Sequence, residues 1–539
     1  MMNMKSLVLA VVATVACSSF AENWYVSESG DDSNDGKSWE TAFRRLYKPL
    51  GRNNNDGRGL AQPGDTVWVE DGYECSTEKS DTYMGAIPGT GSGAATVIVQ
   101  PGVTFRSRSG DWRTGAIIRG VGAYPCLSVT EGATAFGFQL IGGGTTGVNC
   151  GGVYGVNRST SVVSNCLVTG CSSKAVNAGV GNVLNVRLCK SVVSENVNSC
   201  LNNCDVVDSV IANGTTPVFK PGNDATAYIT LDHCTITNFT NVKLFQGVCR
   251  LTKCDILNND GQLFVVEGSV LDRCVIASNR LVVSSNTSGL ISGRGTVVSN
   301  CTISANETSC TLTDNTGFTG GCLFGNGVRA VGCVVKGNTF GGVYTKSGNI
   351  YGVIGQGADF EDCLVMGNSL PSGGRYLREG SARNSVFVHT GETLASMCLN
   401  TKFCNSTVYG NCRSCPGVST NSVWWDTSTS ALGDKTGTVS GWTDKTIPVN
   451  SCSSRAADDS TGTSFSDDPQ LDLDVTSKTF LMPLKDSPCI DKCTGDFDFD
   501  WMHAVGAKDA CGHKRIIGLA ADIGGVEYKP TYGLQVLLR

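Results

Sequence analysis

The sequence predicts an all-β fold, a parallel β-helix: a single-stranded solenoid whose short strands each pair with their equivalents one coil further on. Three observations predict it. The first is a repeat running from Asn165 to Asn411: SNCLVTGC, CKSVVSEN, VDSVIANG, DHCTITNF, TKCDILNN, DRCVIASN, SNCTISAN, VGCVVKGN, EDCLVMGN, RNSVFVHT and CNSTVYGN. Cys or Ser stands at 166, 191, 209, 234, 254, 274, 301, 333, 363, 385 and 406, in steps of 18 to 32 residues. A unit of this size cannot bury its apolar face alone and must stack on its neighbours. The second observation is a Val, Ile or Phe two residues after that Cys or Ser, which is the strand period. The third is composition. There are 67 Gly, 40% hydrophobic residues and only 17% charged residues, against an average near ~25% charged. That mixture suits an extracellular all-β chain and excludes disorder.

Within the repeat, Asn follows the Cys or Ser at about +5. The clearest copies pair Cys274 with Asn279, Cys301 with Asn306, Cys333 with Asn338 and Cys363 with Asn368. Asn tolerates the left-handed conformation of a tight turn, and stacked copies can bond to one another as a ladder. Cys166, Cys234, Cys254, Cys274, Cys301, Cys333 and Cys363 are then an inward stack of small apolar side chains. Uneven steps become loops bulging from the turns. Leucine-rich repeats lack their leucines here, a propeller blade needs ~40–45 residues, and helical repeats are excluded by the Gly-rich, β-branched composition.

In chain order, residues 1–21 read as a secretory signal: Lys5, the apolar run Leu7–Ala16, and Ser19-Phe20-Ala21 before the cut. Lipidation at Cys17 is the rival, disfavoured by Thr14. No later run reaches the ~18 apolar residues of a membrane span. Without the leader, 41 basic and 48 acidic residues leave a charge of −7, which argues against nucleic acid or an anionic membrane as main partner. Twenty-five cysteines remain of 26, an odd number, so at least one is unpaired or joins another chain. Parallel side chains on adjacent rungs sit poorly for a disulfide. Bridges are therefore expected among off-register cysteines: Cys200 with Cys204, Cys249, Cys310, Cys412 and Cys415, or Cys489, Cys493 and Cys511.

Residues 22–94 form an N-terminal cap and first coil. Strands are expected at Tyr25-Val26 and Thr66–Val69, a short helix at Trp39–Leu46, and an acidic loop at Asp31–Gly36. Early coils follow at Ala95–Val99, Gly115–Ile118, Leu127–Val129 and Ala135–Leu140, and coils fill 95–426. Residues 427–466 have no periodicity and read as a surface excursion; 467–539 close the chain.

Two stretches carry a resemblance. Tyr25-Val26-Ser27, the Gly30–Gly36 loop, Ser38-Trp39, Thr41-Ala42-Phe43, Pro63–Val69 and Gly72-Tyr73 resemble the N-terminal segment of secreted bacterial right-handed parallel β-helix proteins of the pectate-lyase-like superfamily. Ser487–Asp491, Arg515-Ile516 and Asp522–Tyr528 resemble their C-terminal element, with Gly524-Gly525 where Gly-Ala is usual. The resemblance implies right-handed coils, an N-terminal cap over the open end, a C-terminal closing segment and export. It implies no reaction.

Candidate chemistry is sparse. Asp31, Ser33, Asp35 and Gly36 start like a calcium loop, but Ala42 stands at the twelfth position, where Glu is needed. Asp496, Asp498 and Asp500 alternate in GDFDFDW; on a strand they would share one face and could take Ca2+, the one cofactor considered. Cys412 and Cys415 have CxxC spacing without a second pair. His233 and His389 lie beside rung strands, while His503 and His513 fall near the C-terminus. Asp255, Asp314, Asp362, Arg375, Arg378 and Lys336 form no motif of a lyase or glycosidase. The leading expectation is a secreted or cell-surface, monomeric, non-catalytic protein binding a polysaccharide or extracellular matrix along its flank, with Trp424 and Trp425 as exposed sugar contacts. A polysaccharide lyase or glycoside hydrolase is the alternative.

Overall fold

The computed structural model describes residues 20–529, except 52–58, 76–94, 121–123, 145–149, 174–181, 199, 220–227, 241–242, 264–266, 284–288, 311–321, 343–344, 347–348, 351, 371–374, 392–394, 400, 411, 414–416, 427–445, 454–461 and 478. Residues 1–19 of the leader lie outside them.

The chain winds as a right-handed parallel β-helix. Its first face is a parallel sheet of 17 strands and its second face one of 16. On the first face, Asn23–Val26 pairs with Thr66–Val69, which pairs with Thr104–Ser107, and so on to Thr446–Val449. A third face is more broken, with five short strands from Val97–Val99 to Leu201–Asn202 and four more from Gly352–Gln356 to Cys412–Arg413.

After the early coils, where Val69 to Glu74 and Ser107 to Ile117 are joined by longer stretches, the corner between first and second faces has constant length. Arg273 and Cys274 separate Val270–Asp272 from Val275–Ala277, and the same two-residue corner recurs along the solenoid. Its first residue is left-handed: Asn165, Lys190, Asp208, His233, Lys253, Arg273, Asn300, Asp362, Asn384, Asn405, Asn421 and Asn450 have φ between 45° and 54°. Its second residue is the repeated Cys or Ser. The uneven repeat length is absorbed elsewhere, between the second face and the next first-face strand.

Each corner Cys or Ser is bonded to the next coil. The N–H of Cys166 donates to Ser191 Oγ (3.1 Å), that of Cys274 to Cys301 Sγ (3.2 Å) and that of Cys363 to Ser385 Oγ (3.1 Å). Sulfur-to-sulfur contacts run Cys234–Cys254–Cys274–Cys301–Cys333–Cys363 without a break. These are buried free thiols. Cys200, Cys204, Cys249, Cys489, Cys493 and Cys511, where bridges were expected, are free thiols too. Side chains of Cys310, Cys412 and Cys415 lie outside the described residues.

At the far end of each second-face strand, buried Asn259, Asn279, Asn306, Asn338 and Asn368 form a ladder. From Asn279 on, each Oδ1 accepts from the N–H and Nδ2 of the preceding asparagine at 2.9–3.0 Å, while Asn259 Oδ1 accepts from the Phe239 N–H. The left-handed turn expected of these asparagines falls one residue earlier, at Asn258, Ser278, Ala305, Gly337 and Gly367. Ladder and turn are separate jobs because a buried amide can satisfy backbone and neighbour only from a fixed position.

Inside, alternate residues pack as a core. Phe324, Phe360, Phe387, Phe403 and Trp424 meet edge to face at 5.2–5.9 Å. Three expectations are corrected. The short helix is Tyr47–Leu50, beyond Trp39–Leu46. The excursion 427–466 contains another coil, Thr446–Val449 and Cys452–Ser453. The C-terminal segment also does more than close an end. It packs outside the second face, burying outward-pointing Val386, Val388 and Val423 against Leu471, Leu481, Met482 and Ile523.

Candidate functional site

The motif residues of the C-terminal element form a buried charged knot. Arg515 is fully buried; its Nη1 pairs with Glu527 at 3.1 Å and its Nη2 donates to Asp522 O and Gly524 O. Asp522 accepts from the N–H of Asp491 and Tyr528. Asp509 accepts from His513 Nδ1 and Glu527 N. Burial pushes Asp522 up to about 6 and Glu527 up to about 8. These contacts tie turns together, so the motif is structural. The cap motif behaves alike: Asp65 gathers the N–H groups of Glu22, Gln62 and the Trp24 indole.

The shared face predicted for Asp496, Asp498 and Asp500 does not form. Gly495–Phe497 and Asp500–His503 are 3₁₀ turns, not a strand. Gly495 sits at φ 62°, which breaks the extended run, so Asp496, Asp498 and Asp500 lose their shared face. Asp498 bonds His503 at 2.6 Å instead. In the cap loop, Asp31 caps Ser33 and Asp35 accepts from Lys37 N and Thr41. Among the described residues, no group of three His, Cys, Asp or Glu is placed to hold a metal. No described helix is long and apolar enough to cross a membrane.

The scattered charges also stay apart. Asp255 and Lys336 point outward on the second face, Arg375 and Arg378 lie on the third face, and Asp362 is at the corner; Asp314 lies outside the described residues. His233 pairs with Asp232 at the corner, while buried His389 bonds Tyr376. Near Asp362, outward first-face carboxylates are taken up by neighbours. Glu361 is held by Arg329 and Arg383, Asp359 accepts from Ser381 at 2.6 Å, and Asp362 from Asn384 at 2.5 Å. Burial raises Asp362; burial alone would also raise Glu361, but Arg329 and Arg383 hold it low.

Trp424 is 3% exposed, in the core against Phe403. Trp425 points outward but packs under the C-terminal segment. The aromatic surface lies at the other end. On the outer side of the first face, Tyr25, Trp68, Arg106 and Phe136 occupy the same position on four consecutive rungs. The Arg106 guanidinium lies 4.3 Å from the Trp68 ring centre and 5.2 Å from that of Phe136. Beside it, Trp39 meets Tyr25 edge-on at 4.9 Å and carries Arg108 at 4.8 Å. Arg106 Nε has no hydrogen-bond partner, and Trp68 Nε1 is fixed by Asn23. Gly110 backs the Phe136 ring; a Cβ there would lie 2.4 Å from it. Every ring is half-buried. Such a surface can stack the C–H face of a sugar ring while guanidinium donors meet its oxygens.

No protein-family model matches the sequence, and no curated protein matches it. Among solved structures, pectate lyase Pel9A is similar over 95% of this chain and 97% of its own, at 13% identity and TM-score 0.22. XylC in complex with xylose covers 70% and 86% of the two chains, at 8% identity and TM-score 0.28. The A-module of mannuronan C-5 epimerase AlgE4 from Azotobacter vinelandii covers 67% and 85%, at 14% identity and TM-score 0.23. At these values the likeness says nothing about chemistry.

Proposed function

We propose that this is a secreted or cell-surface, monomeric β-helix protein that binds a polysaccharide or matrix glycan without turning it over. The site is the Tyr25–Trp68–Arg106–Phe136 column, flanked by Trp39 and Arg108. The supporting observation is that four rungs align rings and a guanidinium in one outward row. Rungs lie ~4.8 Å apart, so a glycan lying along the solenoid axis meets successive contacts without bending. Aromatic faces also supply contact area at low conformational cost.

A second reading, a lyase or glycosidase, is favoured by one observation. Asp362 and Glu361 are adjacent, one raised and the other lowered, and such a split marks acid/base pairs. We rank it lower because both carboxylates are already engaged by Asn384 and two arginines. The test is incubation of the purified protein with uronic-acid and neutral polysaccharides, with and without calcium. Retardation on polysaccharide gels without new unsaturated or reducing ends supports binding. New chain ends would replace it with the enzyme reading.

A further inference from the structure

The corner thiols are held parallel by strand register, and Ser takes the same place in other coils with the same bonds, so that column is packing. Cys452 differs. It points outward from the last second-face strand, in the row of Val386, Thr407 and Val423. It therefore enters the layer between that face and the C-terminal segment, where Cys489 meets it. Both are fully buried free thiols of one packed cluster, and Cys489 is the side chain that acts most strongly on Cys452. Cys452 is on a strand and Cys489 in a turn. Their Cα–Cβ bonds are not forced parallel, which removes the geometric objection that holds between rungs.

Cys489 is also anchored. Ser487 Oγ accepts its N–H at 3.2 Å and donates to Pro469 O, and the Ile523 N–H donates to Cys489 O. Cys452 donates to Asp467 O at 3.2 Å. The pair thus spans the point where solenoid becomes C-terminal segment. Past it, Phe465 bridges Cys452 as the last rung, covering an edge that would otherwise be open to strand addition.

We propose that Cys452 and Cys489 are a disulfide site whose oxidation locks the C-terminal segment onto the outside of the last coils. A disulfide donor such as oxidised glutathione supplies the chemistry. As the chain folds, before the C-terminal segment covers the pair, one protein thiolate attacks a donor sulfur and releases one glutathione. The second thiolate then attacks the mixed disulfide and releases the other. Two protein thiols lose two protons and two electrons in all, and the donor becomes two thiols. The proposal is independent of glycan binding.

The full chain is refolded from denaturant in oxidised and reduced glutathione to a constant thiol count. Remaining thiols are alkylated in denaturant, and non-reduced peptides are mapped by mass spectrometry. The expected result is a linked Cys452–Cys489 peptide that disappears on reduction. Cys452→Ser and Cys489→Ser should each abolish it and leave the other cysteine alkylated. The wild-type C-terminal segment should also resist protease longer after oxidation. Recovery of both cysteines as alkylated peptides overturns the proposal. So does Cys489 linked to Cys493 or Cys511 instead.

Discussion

Asn306→Ala removes one step of the amide ladder and leaves everything around it. Asn306 Oδ1 accepts from Asn279 N and Nδ2, each at 3.0 Å; its Nδ2 donates to Ile276 O and Asn338 Oδ1, each at 2.9 Å. The side chain is fully buried, and water cannot replace it without opening the corner. Asn338 Oδ1 still accepts from the Asn306 N–H, so the orphaned donors are the two on Asn279. At ~1–3 kcal/mol per buried unsatisfied group, the cost is about 4 kcal/mol. A solenoid distributes that loss locally, so the readout is hydrogen exchange by mass spectrometry across 270–310. Local opening should rise about a thousandfold, at ~1.4 kcal/mol per decade. Asn238→Ala, on the exposed side of a corner at φ 60°, is the control and should change exchange about tenfold or less. Equal effects at the two positions would refute the ladder's role.

Trp68→Ala should weaken polysaccharide retardation about five- to thirtyfold, since stacking on an aromatic face contributes ~1–2 kcal/mol, while Trp425→Ala should leave retardation unchanged; affinity electrophoresis separates them. Phe360→Ala, which loses contacts to Phe324 and Phe387, should cost about 3–5 kcal/mol, read as faster proteolysis of the adjacent coils. The C-terminal knot should loosen as pH rises. Burial lifts Glu527 from 4.5 to about 8 and Asp522 from 3.8 to about 6. The folded segment keeps protons that the unfolded chain releases, so its stabilisation is full below about 4 and is lost progressively as pH climbs towards 8. Limited proteolysis of the segment should accelerate from about pH 5 to about pH 9, and Glu527→Gln should flatten that dependence; a flat wild-type profile contradicts it.

The solenoid was legible because its corner is a local event. From residue 165 onward a Cys, Ser or similar small residue in each coil, most often with an aliphatic residue at +2, marks a two-residue bend of fixed length, so the column was readable position by position. The last coil, hidden in the supposed excursion, keeps the corner pair Asn450-Ser451 but has Ser453 at +2 where the pattern wants an aliphatic residue. The ladder was half legible. Its left-handed neighbour is Asn, Ser, Ala or Gly by turns, so composition could not separate it from the bonded Asn, and in Asn258-Asn259 the two look alike. The aromatic row was not legible. Tyr25, Trp68, Arg106 and Phe136 lie 30 to 43 residues apart in coils of unequal length, and only the register aligns them. Trp424-Trp425 attracted attention as a pair, yet strand parity sends one ring inward and the C-terminal segment covers the other. The Asp496–Asp500 alternation failed because a left-handed Gly495 and two short 3₁₀ turns replace the strand it presumed.

The corner residues also explain where the C-terminal segment docks. In the last coils the left-handed corner position is Asn four times running, and each amide donates to that segment: Asn384 to Lys508 O, Asn405 to Cys493 Sγ, Asn421 to Phe497 O and Asn450 to Lys492 O. In earlier coils the same position holds Lys190, Asp208, His233, Lys253 and Arg273, all exposed. A neutral amide can turn its donor toward a main-chain acceptor and be buried at little cost, whereas a charge at that place must keep its water. Asn also stands at this position in earlier coils, as Asn165 and Asn300, so a single amide does not dock the segment; four consecutive amides facing main-chain and thiol acceptors do.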